Sequence, residues 1–178
     1  MRIFTVGHSS RPLDELLEVL GRHGIELVVD VRRFPASRRH PCFARDSLEQ
    51  SLPAAEIDYL WLEGLGGRRS RRPGSPHTAW EVAGFAAYAD HLDTDEFRDA
   101  AQALLEEAAM RCTVLMCAER RWVSCHRRLI SDWLVAHGHE VVHIVDEDVV
   151  EQHRLPPFAR IVDGLLVYDG GQQELPGL

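Results

Sequence analysis

Apolar positions along this chain follow two alternating rhythms. Arg2 to Val6 is a short apolar-rich run closed by Gly7, and Ile25 to Val31 is a nearly continuous one; both predict strands. Between them Leu13, Leu16, Leu17 and Leu20 recur at helical spacing. Pro12 suits the first turn of that helix, Ser10 is its candidate cap, and Gly21 and Gly24 close it. Strand, helix and strand within about thirty residues make a βαβ unit with a right-handed crossover. Further strands are predicted at Asp58 to Leu62, Thr113 to Cys117 and Glu140 to Ile144. Helices are predicted near Ser47 to Leu52, Trp80 to Ala89, Asp95 to Ala109 and Cys125 to His137. Ile161 to Tyr168, interrupted by Asp163-Gly164, predicts a hairpin. Two long polar stretches remain: Arg32 to Arg45, broken by Pro35 and Pro41, and the Gly-, Arg- and Pro-rich Glu63 to Thr78, expected to be mobile.

This alternation implies an α/β fold, a three-layer sandwich with a mainly parallel central sheet. The expected organisation is one domain over 1–145 with a C-terminal extension, 146–178, carrying the hairpin and packed on the same domain. A chain of 178 residues buries roughly 70% of its unfolded surface, so it needs no disulfide or metal to form a core. With 45% hydrophobic and 27% charged residues it is neither disordered nor fibrous, and no apolar run is long enough to span a bilayer. Its first residues lack the pattern of a secretory signal, and four cysteines in that setting are expected to be reduced thiols in a cytoplasm.

Charge changes the picture. All 20 basic residues are arginine, and they cluster. Nine lie between Val31 and Ser75 against five acids, and five lie between Arg111 and Arg128 against Glu119 alone. Two basic islands on a chain of net charge -8 point to a locally held anion rather than to a protein that coats nucleic acid.

In parallel sheets ligands bind outside the carboxyl ends of the strands. Those ends carry the unusual residues here: Gly7-His8-Ser9-Ser10, Asp30-Val31-Arg32-Arg33, the Gly-Arg loop, and Cys117-Ala118-Glu119 through Cys125-His126-Arg127. Cys117 is expected at a strand end, and Cys125 in the first turn of a helix with Ser124 as cap. There the helix dipole and Arg127 would favour its thiolate. Cys42 and Cys112 read as ordinary core cysteines.

Thr5-Val6-Gly7-His8-Ser9, Asp30-Val31-Arg32, Pro35 with Ser37, Phe43, Leu65-Gly66-Gly67 and Cys117-Ala118-Glu119 with Cys125-His126-Arg127 occur in that order. Together they resemble the signature of the family known as domain of unknown function 488, from Arg2 to about Val145. The resemblance implies an α/β fold and a shared site at these positions, and it supplies no activity.

Three chemistries fit. In the first, Cys117 or Cys125 is a nucleophile with His126 or His8 as base. Glu119 stands beside them in this reading, and Ser9, Asp30, Arg32, Ser37, Gly66, Gly67 and Arg127 serve a small anionic or nucleotide-like substrate. In the second, Cys117, Glu119, Cys125, His126 and His8 hold a transition metal, although their spacing matches no common zinc pattern. In the third, Cys125-His126-Arg127 belongs to a nucleic-acid-binding or repair accessory protein that uses the arginine-rich loops. That block resembles the Pro-Cys-His-Arg motif of alkylguanine-DNA alkyltransferases, but Ser124 replaces the proline and no helix-turn-helix surrounds it.

Bland readings compete. Asp30 and Arg32 make a plausible structural ion pair, and Arg68, Arg69, Arg71 and Arg72 a solvated loop. Trp122 and Trp133 read as packing residues, and His137, His139 and His143 as surface histidines flanking a strand. His77 and His153 give no readable signal.

Overall fold

The runs with the least polar character take the middle of the sheet. In the computed structural model, which describes residues 1–37 and 39–170, β1 (Arg2–Gly7), β2 (Leu27–Asp30), β3 (Asp58–Trp61), β4 (Thr113–Cys117), β5 (Glu140–Asp146) and β6 (Val149–Gln152) form one sheet. Its order is β3-β2-β4-β1-β5-β6, with only β6 antiparallel. Every residue of β2 and β4 is buried, as expected of strands covered on both faces. The edge strand β6 has no buried residue. It escaped the sequence reading because Val149 and Val150 are exposed and its four residues show no alternation. A separate hairpin, β7 (Ala159–Val162) with β8 (Leu165–Tyr168), turns at Asp163-Gly164, both at positive φ.

Among the described residues five α-helices complete the layers: α1 (Leu13–Arg22), α2 (Arg45–Ser51), α3 (Ala83–Leu92), α4 (Asp95–Met110) and α5 (Arg127–Ala136). Val6, Val28, Val114, Met116 and Ile144 pack with Leu16, Val19, Leu20 and Leu48 of α1 and α2. Ile3, Val29, Leu115, Cys117 and Val141 pack with Ala89, Leu104 and Leu129 of α3, α4 and α5. The strand alternation thus divides one sheet between two cores, the three-layer α/β sandwich read from the sequence.

Local details differ from expectation. Pro12 itself occupies the N-cap of α1 and no side chain caps it, so Ser10 does not serve; Gly24, at φ 62°, closes the turn after the helix. Trp80 precedes α3, buried against Phe85, Phe158 and Tyr168, and the helix starts only at Ala83. The Glu63–Thr78 loop is tethered to α3 and α4 by hydrogen bonds. Tyr88 and His91 bind the carbonyls of Leu65 and Gly64, while Arg69 binds those of Glu63, Gly64 and Gly66. His77, near the end of the loop, is fully buried, and its Nδ1 accepts the Tyr168 N–H. Arg38 of the first basic island and 171–178 of the C-terminal extension lie outside the described residues.

Candidate functional site

The parallel sheet brings the strand ends to one rim, where a cavity of about 320 Å³ opens. Its lining comes from all four predicted segments: His8; Arg32, Arg33, Phe34 and Ser37; Gly67 and Arg68; and Cys117, Glu119 and His126. The register Gly7↔Cys117 places the ends of β1 and β4 side by side, and the His8 N–H donates to the Cys117 carbonyl. Only glycine fits before His8, because a Cβ on Gly7 would overlap the Glu119 carbonyl.

His8 is 3% exposed and stacks on Phe43 at 4.1 Å between ring centroids. A carbonyl can only accept, so Nδ1 donates to the Ser9 oxygen at 2.9 Å and Nε2 keeps its lone pair, facing Arg32 Nη1 at 3.4 Å. Burial, reinforced by the Arg32 charge, pushes the His8 pKa down to about 4.

Asp30 is fully buried and fixes Arg32 through the guanidinium and the backbone N–H, while Tyr59 donates its hydroxyl to the same carboxylate. Arg32 Nη1 also donates to the Phe43 carbonyl at 2.8 Å. The pair therefore serves as structure while its guanidinium lines the cavity. Of the four loop arginines named in the sequence, only Arg68 lines the cavity; Arg69 and Arg72 are engaged with Glu96 and Asp93. Arg33, part of the rim segment in the sequence but given no role there, is a wall residue, and its guanidinium and that of Arg68 both lie 5.9 Å from the exposed Phe34 ring. Ser37 accepts the His40 N–H. Ser9 and Gly66 contribute backbone: Ser9 N–H donates to Ala118, and a Cβ on Gly66 would press on Arg33 Cα.

Cys125 is placed differently from expectation. A single turn of 3-10 helix, Trp122–Ser124, intervenes, Cys125 itself is extended, and α5 begins at Arg127 with His126 as N-cap. Ser124 caps nothing; the Cys125 carbonyl instead accepts the Arg128 N–H. The result is a compact sulfur–imidazole cluster. One ligand atom from each of Cys117, Cys125 and His126 lies within 4.8 Å of the others. His126 Nε2 donates to the Val31 carbonyl at 2.8 Å, which leaves Nδ1 aimed at Cys125 Sγ, 3.7 Å away. Cys117 lines the cavity, whereas Cys125 sits behind it, 3% exposed. The Cys117 thiol hydrogen-bonds Cys125, pushing Cys117 up and Cys125 well below the ordinary thiol value, and the Arg127 charge acts on Cys125 in the same direction. Glu119 lines the cavity with its side chain exposed and stays outside the cluster, as does His8. Such a cluster can relay a thiol proton or bind a soft metal.

Arg127 works behind the wall. It is 1% exposed, and Nη2 donates to the Glu119 carbonyl while Nη1 reaches Thr5 Oγ1 at 3.2 Å. From Thr5 a buried chain continues: Thr5 Oγ1 to His143 Nδ1 at 2.7 Å, His143 Nε2 to His153 Nδ1 at 2.9 Å, and His153 Nε2 to Asp132 at 2.7 Å. Tyr168 donates to the other Asp132 oxygen at 2.8 Å. His143 is thus a buried residue rather than a surface histidine, and His153 has a defined place. Trp122 stacks on His143 at 4.0 Å and Trp133 on His137 at 3.8 Å, both as packing residues.

Residues 12–134 match the model of a family described as a domain of unknown function, DUF488. The Gly7-His8-Ser9 turn precedes the matched segment and β5 to β8 follow it. No curated protein and no solved structure matches the chain.

Proposed function

Since the chain belongs to the DUF488 family, whose description assigns no activity, the reading must come from the site, and we propose an enzyme acting on a small anionic or nucleotide-like ligand in the rim cavity. One observation carries it: a single cavity has cationic walls, Arg32, Arg33 and Arg68, and a sulfur–imidazole floor, Cys117 and His126. Arg33 and Arg68 supply charge-assisted donors, and Arg32, rigidly held by Asp30, adds its fixed charge. The arginines orient the ligand over Cys117, and the cluster behind it is the reactive centre.

Calorimetric titration with inorganic phosphate and with a nucleoside monophosphate tests this. The double variant Arg33→Ala/Arg68→Ala is expected to weaken binding by roughly tenfold or more while unfolding stability moves by no more than about 0.5 kcal/mol. Absence of small-anion binding in the wild type overturns the reading. Tight single-strand or duplex binding with a steep salt slope, indifferent to Cys117→Ala, would replace it with a nucleic-acid accessory role.

A further inference from the structure

We propose that Cys117, Cys125 and His126 form a metal centre that takes one zinc-class divalent transition ion and leaves a coordination position open to the rim cavity. This deepens the proposed function by naming what the reactive centre holds; it rests on that reading only for the role of the open position.

The geometry is that of a convergent donor set. The three ligand atoms come from the end of β4, from the extended residue before α5 and from the N-cap of that helix, yet all lie within 4.8 Å of one another. Zinc–sulfur and zinc–nitrogen bonds of about 2.3 and 2.0 Å in a tetrahedron put sulfur and nitrogen about 3.5 Å apart. The Cys125 Sγ to His126 Nδ1 separation is 3.7 Å. The imidazole is presented as metal-binding histidines usually are, with its other nitrogen donating to a backbone carbonyl, here that of Val31. That bond fixes the ring and aims the Nδ1 lone pair at the sulfurs.

Chemistry and space agree with the geometry. Two thiolates and an imidazole are a soft donor set that suits zinc over magnesium or calcium. Loading releases the thiol proton still held between the two sulfurs to solvent, and two thiolates then balance the double charge of the ion, so the centre is neutral and tolerates burial. Gly67 leaves the approach to Nδ1 free: a Cβ there would come within 3.0 Å of it. Cys117 and His126 face the cavity while Cys125 lies behind, so the unfilled position points to where the arginines hold the ligand. His8 and Glu119, weighed in the sequence as ligands, lie outside the cluster and remain wall residues. The sequence spacing gave no zinc pattern because the 3-10 turn Trp122–Ser124, not a short knuckle, closes the loop between the two cysteines.

Reduced, chelator-treated protein is titrated with Zn²⁺ against a chromophoric chelator and, separately, with Co²⁺ as an optical probe. One equivalent per chain is expected, with the cobalt adduct showing a thiolate charge-transfer band and the intense visible bands of a tetrahedral site. Cys117→Ser, Cys125→Ser and His126→Ala should each weaken Zn²⁺ binding beyond the roughly 10–100-fold that losing an outer partner costs. Cys42→Ser and Cys112→Ser should leave it unchanged. Gly67→Ala should weaken it without removing a donor. A wild-type protein that binds no Zn²⁺, or whose cobalt spectrum lacks the charge-transfer band, overturns the proposal even if a cluster variant fails to fold. So does a site abolished by Cys42→Ser or Cys112→Ser. No substrate enters these measurements, so anion binding can survive the loss of the metal centre, and the metal centre can survive the loss of anion binding.

Discussion

Two polar regions meet at Arg127, and they are built on opposite principles. Behind the wall, the chain from Thr5 through His143 and His153 is closed at its far end by Asp132, which also accepts from Tyr168. Its hydrogen bonds run in one direction: Tyr168 and His153 donate to Asp132, His143 to His153, Thr5 to His143, and Arg127 to Thr5. In front of the wall, the cavity groups keep capacity in reserve. His8 Nε2 and His126 Nδ1 make only the long contacts to Arg32 Nη1, 3.4 Å, and Cys125 Sγ, 3.7 Å, and the two wall arginines Arg33 and Arg68 line the cavity. Buried polar groups that satisfy each other stabilise a fold, whereas groups left with spare valence at a cavity await something from outside.

The largest effect should come from breaking the closed chain. Asp132→Ala strands the donors of His153 and Tyr168 in a site with no access to water. A loss of about 3–5 kcal/mol in urea unfolding is expected, against little change for Arg33→Ala/Arg68→Ala. Equal losses in the two variants would erase the distinction.

Acid should act on the cavity side next. His8 titrates near 4 in the folded protein and near 6.5 when unfolded, so between those values the unfolded chain binds the extra proton. Its contribution is complete above pH 6.5 and declines toward pH 4, by at most about 3 kcal/mol. His143, held at about 2 by burial and by His153 and Arg127, adds a slope of the same sign. Stability measured across that window in His8→Asn should fall less steeply than in the wild type. Parallel curves would assign the whole slope to the closed chain.

A smaller effect is expected where the regions touch. Gly7→Ala drives a methyl into the Glu119 carbonyl that Arg127 also binds, and should cost about 1–3 kcal/mol. Gly21→Ala, with open space around it in α1, should gain up to about 1 kcal/mol. Thermal melts of the pair give the sign; a neutral Gly7→Ala would mean the wall yields freely.

The fold could be read from the sequence because β2 and β4 lie in nearly continuous apolar runs and the helices between strands keep their period. The rim was readable for a topological reason: parallel strands deliver their carboxyl ends to one edge, so Gly7-His8, Asp30-Val31-Arg32 and Cys117 meet there. The closed chain was not. Thr5 and His143 are single polar residues among apolar neighbours, His153 stands unmarked between Gln152 and Arg154, and the members lie as far apart in the sequence as Thr5 and Tyr168. Nor could the loop arginines be sorted, since adjacent residues such as Arg68 and Arg69 differ only in which carbonyls the folded loop presents to them. Cys125 was misplaced by the 3-10 turn, whose residues carry no helix-breaking signal.

The central position of β1 limits how this chain can change length. It pairs with β4 on one side and β5 on the other, setting Gly7 opposite Cys117 and Thr5 opposite His143. One residue inserted or deleted within β1 would turn its alternating side chains over. Thr5 would then leave His143 for the opposite core, and the turn at His8 would lose its step beside Cys117. Substitutions can reach these two regions one at a time, but an insertion in this strand strikes both at once. Tags, linkers and grafted segments therefore belong at the exposed Asp163-Gly164 turn of the hairpin, where added length disturbs neither region.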